Sequence, residues 1–369
     1  MAEVFWSPIT AMHCNKPPGT IVCGVPGGGK SFFLLNTAAN CLEQGCNVFV
    51  LDAKNDMLPL KNLFPYVKTT DVNNISAGSL DPFLVFDDIE STTVLTIIEI
   101  LCGKLTSEQK LAVTPIIGDF VNKIKLSEDK SSVTFRSFAD YLYQNENVHA
   151  QSIGNQLILA SQSKYGRLLF GDIGKKSVGI TIGSESRIIS ILGMSLPVGK
   201  SEPKADETVN LAIVYIICRM IKSMLTNKTK NGKRIDKTPS VLILDECHML
   251  MRSQAIADII DEFLVLGRSL GVAVMLASQN VTHFPLSIAQ LLSTKICFKM
   301  SKSEAQEFFD MFDNTTAERS LDIRDTMETV TRLKTGYAFM VDSNERCAIL
   351  HITSNYDHGD ITSNPLLKK

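Results

Sequence analysis

Hydrophobic positions along the chain fall into two alternating textures. Short, nearly unbroken apolar runs stand at "TIVC" (20–23), "NVFVL" (47–51), "VLIL" (241–244) and "VAVMLA" (272–277), bounded by glycine, asparagine or acidic residues. Runs of this length, rich in β-branched residues, predict strands buried on both faces. Between them lie longer segments with apolar residues three and four apart, which predict helices. "KSFFLLNTAANCLE" follows the first run, and "IADIIDEFLVLGRSLG" separates the third from the fourth.

From about 88 to 170 the strand texture disappears. "TTVLTIIEILCG", "TSEQKLAVTPIIGDFVNKIK" and "FRSFADYLYQN" carry helical spacing with Ser or Thr near their starts. The segment 88–170 therefore reads as an all-helical insertion into a core formed by 1–87 and 171–369. Strand-like text returns at "KSVGITIG" and "SRIISILG", then an apolar helix spans roughly 206–225. "NKTKNGKRIDKT" at 227–238 reads as a solvated basic loop, with a DNA-facing loop as the alternative. "STKICFKM", "GYAFMVD" and "CAILHI" predict further strands, and "SKSEAQEFFDMF" and "TAERSLDIRDTMETVTRL" predict helices between them. This alternation is that of an α/β fold with a largely parallel sheet.

Composition narrows the class. With 44% hydrophobic and 21% charged residues, the chain can bury a sizeable core. A net charge of −2 gives no general support for nucleic-acid binding, so any DNA contact is a local patch. The 9 cysteines are odd in number and sit mostly in apolar runs, which suggests reduced thiols and a cytoplasmic protein. The opening residues lack a basic start followed by an apolar block, so no signal peptide is expected. "LAIVYIIC" at 211–218 is too short to span a bilayer and reads as a core helix.

The chemistry begins at "GVPGGGKS". Gly24, Gly29, Lys30 and Ser31 satisfy G-x-x-x-x-G-K-[ST] between a strand and a helix. Glycines let the loop wrap a phosphate with its amides inward, and the helix offers its positive end to the same anion. The nucleotide-binding set is Gly24, Pro26, Gly27, Gly28, Gly29, Lys30, Ser31 and Phe32. Lys30 reaches the terminal phosphates, and Ser31 ligates Mg²⁺.

Such a loop does not separate a kinase from a motor; the residues after "VLIL" do. Asp245 is placed to hold Mg²⁺ and Glu246 to polarise an attacking water, with a pair of helix-capping acids as the plainer alternative. Gln279 ends the strand "VAVMLASQ", where an amide could sense the γ-phosphate or simply close a turn. Arg268, in "LGRSLG", reads on its own as a surface arginine near a helix C-terminus.

The order of these parts resembles the HerA–FtsK superfamily, and within it the ATPase domain of TraC/TrbE-like motors of conjugation and type IV secretion. The resemblance rests on the Gly-rich loop, "VFVLDAKND", "SLDPF", the helical insertion, "LILDECHML", "GRSLGVAVMLASQN", "STKICFKMSKSEA" and "TGYAFMVD". It implies a RecA-like P-loop core and an ATP–Mg²⁺ site. It also implies a homo-hexamer, with Arg268 acting on a neighbour's nucleotide and Asp52 near the site. The implied partners are secretion or conjugation components at the inner face of the membrane, with DNA as a candidate cargo. The implied location is cytoplasmic and peripheral to that membrane. Two departures stand out. Cys247 and His248 replace an Ala-Trp pair common after the acids, and the Gly-rich loop begins at residue 24 where relatives usually carry a large preceding domain. The sequence thus favours an ATP-hydrolysing motor of conjugative transfer or type IV secretion. A double-stranded DNA translocase or packaging ATPase is the near alternative, and a small-molecule kinase and a nucleotide-gated scaffold are the distant ones.

Overall fold

The computed structural model describes residues 6–13, 16–127, 133–197, 203–227, 229–230, 233–234, 238–279, 284–313, 323–354 and 356. Its strands are β1 (Gly19–Cys23), β2 (Asn47–Asp52), β3 (Lys68–Asp71), β4 (Arg187–Ser190), β5 (Thr229–Lys230), β6 (Lys233–Arg234), β7 (Ser240–Leu244), β8 (Val272–Ser278), β9 (Thr294–Cys297), β10 (Tyr337–Val341) and β11 (Cys347–His351). Nine of them form one sheet in the order β11-β10-β9-β1-β8-β7-β2-β4-β3. All neighbours from β9 to β3 are parallel, and β10 and β11 add an antiparallel edge.

The apolar runs are central strands because both faces are covered. Every residue of β1, β7 and β8 is buried. Alternate side chains go to opposite faces. Val22, Val241, Ile243 and Met275 pack under Phe33, Leu34, Ala38 and Leu42 of helix Lys30–Glu43. Ile21, Leu242, Leu244 and Val274 join the larger core on the other face, together with helices Ala205–Asn227 and Gln254–Leu270. The stretch Ala205–Thr226 is long and apolar enough to cross a membrane, but 72% of its apolar window is buried inside the fold. It packs against Ser91–Cys102 and Gln254–Leu270.

Among the described residues, the regular elements between 91 and 170 are all helices: Ser91–Cys102, Ser107–Leu126, Phe135–Tyr143, Val148–Ser161 and Gly166–Phe170. Capping boxes start two of them, Thr106 with Gln109 and Thr134 with Ser137. The "SLDPF" turn ties this region to the strands. Asp81 is buried, and its carboxylate accepts the amides of Phe83 (2.9 Å) and Phe135 (2.8 Å). Phe83, Phe120, Phe135 and Phe138 then pack ring against ring around it.

One strand expectation needs correcting, and one strand lies where none is expected. "KSVGITIG" forms no strand; it runs past the "SLDPF" turn, with the Ile180 amide donating to the Ser79 carbonyl at 2.9 Å. The place beside β4 is taken instead by β3, "KTTD", whose polar, half-exposed residues suit a sheet edge. In the basic loop at 227–238, positions 228, 231–232 and 235–237 lie outside the described residues, and β5 and β6 pair as an antiparallel hairpin. In "TAERSLDIRDTMETVTRL" the helix is Ile323–Thr331, and 314–322 lie outside the described residues. The described cysteines, Cys23, Cys41, Cys46, Cys102, Cys218, Cys247, Cys297 and Cys347, are free thiols.

Candidate nucleotide site

Parallel strands present their carboxyl ends at one edge, and the ends of β1, β8, β7 and β2 meet there. The Gly-rich loop leaves β1 through Gly24 (φ 150°), Gly27 (φ 77°) and Gly29 (φ 116°), all in the region that favours glycine. Gly24 also needs the space, because a Cβ there would stand 2.7 Å from the Cβ of Phe298. Phe298 is buried under the loop, and backbone bonds join the two segments: Phe298 N to Cys23 O (2.8 Å) and Val25 N to Lys299 O (2.9 Å). Pro26 and Gly27 are exposed at the loop's tip, and nothing lies within 4 Å of where a Gly27 Cβ would be.

Lys30 opens the following helix and is buried. Its ammonium donates to the carbonyls of Gly24 (2.5 Å) and Val25 (3.1 Å). Burial holds its pKa below the usual lysine range, while the charge of Glu246 pulls it back upward. Ser31 and Phe32 are half-buried in the same first turn.

The two acids come from β7. Asp245 leaves the ladder with its amide donating to Leu51 O at 3.2 Å. Its Oδ1 accepts the amide of Glu246 (2.9 Å), and its buried Oδ2 accepts no hydrogen bond among the described residues. Burial, then the charge of Glu246, pushes its pKa up to about 6. Glu246 stands at φ 50°, a left-handed conformation that costs a residue other than glycine about 1–2 kcal/mol. It is only 2% exposed. Burial alone would raise its pKa, but the hydrogen bonds of Lys54 and Gln279 and the charge of Lys54 outweigh that and hold it low.

Gln279, just past β8, donates from Nε2 to Glu246 Oε1 at 2.6 Å. Lys54, in the loop after β2, is ion-paired with the same oxygen. The sequence does not single out Lys54; its one hint is the place of the residue in "VLDAKND", after a buried strand. Asp52 is fully buried, and its carboxylate accepts the amides of Lys54 (3.0 Å) and Met57 (2.9 Å), which fixes the loop that presents Lys54. His248 Nδ1 lies 3.3 Å from Glu246 Oε2. Cys247 is buried, and its thiol donates to Ala277 O of β8 at 3.1 Å.

The structure thus brings together Lys30, Asp245, Glu246 and Gln279 beside the loop Gly24–Ser31. It does not bring Arg268 to them. Arg268 is exposed at the end of helix Gln254–Leu270, before β8 begins, whereas Gln279 follows the end of β8. The seven residues of β8 separate the two edges by roughly 23 Å.

A family model described as an AAA-like domain matches residues 11–359. The chain is similar in fold to VirB4 of Thermoanaerobacter pseudethanolicus, with TM-score 0.69 and 14% identity over 91% of this chain and 89% of that one. It is also similar to the bacterial conjugative coupling protein TrwB lacking its N-terminal segment, with TM-score 0.61 and 14% identity over 92% of this chain and 86% of that one. Plasmid coupling protein TrwB in complex with the ATP analogue ADPNP matches with TM-score 0.59 and 16% identity, over 93% and 87%. No curated protein matches the chain by sequence.

Proposed function

The chain belongs to the AAA-like domain family, and on that premise we propose that it is a Mg²⁺-dependent ATPase working as a ring-shaped motor of conjugative DNA transfer or type IV secretion. The observation that carries this reading is the meeting at one sheet edge of Lys30, Asp245, Glu246 and Gln279, on a fold shared with VirB4 and TrwB.

The residues fit the nucleotide and the metal. The glycine loop has the left-handed backbone that turns amides toward an anion, and Gly27 leaves its tip open. Asp245 Oδ2 is an orphaned buried acceptor, the kind of group that a cation satisfies. The amides of 24–31 and Lys30 would hold the triphosphate; Ser31 and Asp245 would hold Mg²⁺. When bound, ATP supplies the phosphoryl group that passes to water, and Mg²⁺ neutralises its charge. Lys30 contributes a fixed cation from the floor of the loop. Glu246, ionised and buried, accepts a proton from the attacking water. Gln279 holds that carboxylate through Oε1. Arg268, remote from its own site, serves the nucleotide of the next subunit in the ring. The helical segment 88–170 is read as an insertion in the RecA-like core.

The test is ATP hydrolysis with Mg²⁺, with Glu246→Gln as control and native mass measured with and without an ATP analogue. The expected outcome is phosphate release that needs no acceptor, loss of turnover in Glu246→Gln with analogue binding retained, and a hexamer with the analogue. Normal hydrolysis by Glu246→Gln, or an absolute need for an acceptor substrate, overturns the reading. Stimulation of hydrolysis by duplex DNA, steeply lost with salt, would identify DNA as what moves.

A further inference from the structure

The loop between β2 and β3 contributes a side chain to the site that the nucleotide signature does not contain. Lys54 is ion-paired with Glu246 Oε1, the oxygen that also accepts Gln279 Nε2 at 2.6 Å. The other oxygen, Oε2, is buried and accepts no hydrogen bond among the described residues; its near neighbour is His248 Nδ1 at 3.3 Å. The two carboxylate oxygens are therefore chemically distinct. One is anchored by two donors from two different strands' ends. The other is held by neither of these donors and faces the imidazole of His248.

The anchor is built rather than incidental. Asp52 accepts the Lys54 amide on one oxygen and the Met57 amide on the other, and Met57 is fully buried beneath the loop. The loop's shape is thus fixed independently of Glu246. Because β2 is the direct neighbour of β7, with Leu51 paired to Leu244, a residue just past Asp52 lies beside one just past Asp245. The Lys54 side chain is 45% exposed, so its contact with the buried carboxylate spans the boundary of the site.

We propose that Lys54 is a positioning residue for hydrolysis: together with Gln279 it fixes Oε1 of Glu246 so that Oε2 is the atom that takes the proton from water. This inference rests on the ATPase reading above. A carboxylate freed from that hold rotates about its side-chain torsions, and misplacement of a catalytic group by about an ångström can cost on the order of 100-fold in rate. Lys54 acts through Glu246 and not on the nucleotide, so its loss acts on kcat and spares affinity.

The experiment compares Lys54→Met, Lys54→Arg, Glu246→Gln and the double variant Lys54→Met/Glu246→Gln with the unmodified protein. It measures steady-state hydrolysis, the affinities for ADPNP and ADP by fluorescence anisotropy, and thermal unfolding. The expected result for Lys54→Met is a roughly 10–100-fold fall in kcat, with KM and both affinities changed less than about threefold. Lys54→Arg, whose guanidinium can reach the same oxygen, recovers a large part of the rate. The double variant is no slower than Glu246→Gln alone, because both changes remove one function. Three results overturn the inference: unchanged kcat in Lys54→Met, a selective loss of ADPNP over ADP affinity, which would place Lys54 on the γ-phosphate, or a double variant slower than either single change. An unmodified protein that binds no nucleotide, or a Glu246→Gln variant that hydrolyses normally, sinks the ATPase reading itself and is distinguished by those controls. Unfolding temperatures that match across the set exclude a merely structural effect.

Discussion

Gln279 and Glu246 meet from adjacent parallel strands, with the amide Nε2 of one 2.6 Å from Oε1 of the other. The contact joins a residue after β8 to one after β7, and under the proposed ATPase reading it would give the strand-end glutamine a role in holding the base. A hydrogen bond to a charged group contributes about 1.5–3 kcal/mol. Gln279→Ala is therefore expected to lower kcat roughly 10–100-fold while leaving analogue affinity intact. Steady-state kinetics paired with analogue titration checks this; a change confined to KM would show that Gln279 touches the nucleotide instead.

The glycines of the loop are not equivalent. Gly24→Ala places a Cβ 2.7 Å from that of Phe298, inside a buried contact, whereas Gly27→Ala meets nothing within 4 Å. Gly27→Ala is expected to cost only the left-handed backbone term, about 1–2 kcal/mol. Gly24→Ala should cost more than that and displace the loop. Chemical denaturation of both variants ranks them; equal losses would mean that the Phe298 brace gives way easily.

Asp81 makes stability depend on pH. Burial pushes its pKa from 3.8 to about 7, although the amides of Phe135 and Phe83 oppose the rise. A carboxyl whose folded pKa is raised binds its proton more tightly in the folded state. Its contribution is fully present below the unfolded pKa and is lost as pH climbs through the folded one. Stability should therefore fall between pH 3.8 and about 7 from this group, with a slope of at most about 1.4 kcal/mol per pH unit. Asp81→Asn should flatten that part of the profile, as read by urea unfolding at several pH values. An unchanged slope would assign the effect to other groups.

Arg268 is expected to act between subunits. Arg268→Ala should keep analogue binding and lose hydrolysis, and so should Glu246→Gln. Mixing the two inactive proteins creates interfaces with an intact Glu246 facing an intact Arg268. Hydrolysis should then recover to a fraction of the unmodified rate. If the mixture yields no more than its parts, Arg268 is a surface arginine at a helix end.

The central strands were legible because double-sided burial leaves an unbroken apolar run, as at 241–244 and 272–277. The edge strand β3 was not, since "KTTD" needs no apolar side chains at a half-exposed edge. Lys30, Ser31 and the acids were legible because amide cradles and strand-end carboxylates constrain residue type and spacing. Lys54 was not. Its partner lies 192 residues away, and only the adjacency of β2 and β7 brings the two together. Local spacing says nothing about which strands are neighbours. Arg268 shows the converse: it lies between the acids and Gln279 in the sequence, yet it sits at the opposite edge of the sheet.

The brace beneath the glycine loop has a temporal consequence. Gly24 rests on Phe298, and Gly28 O accepts the amide of Gly336 at 3.5 Å, so the loop is finished by residues about 270 to 310 positions later in the sequence. A ribosome making this protein releases "GVPGGGKS" well before the residues that seat it, Phe298 and Gly336, have emerged. Nascent chains halted before residue 298 should be unable to capture nucleotide, which keeps ATP out of the molecule until the fold around it is complete.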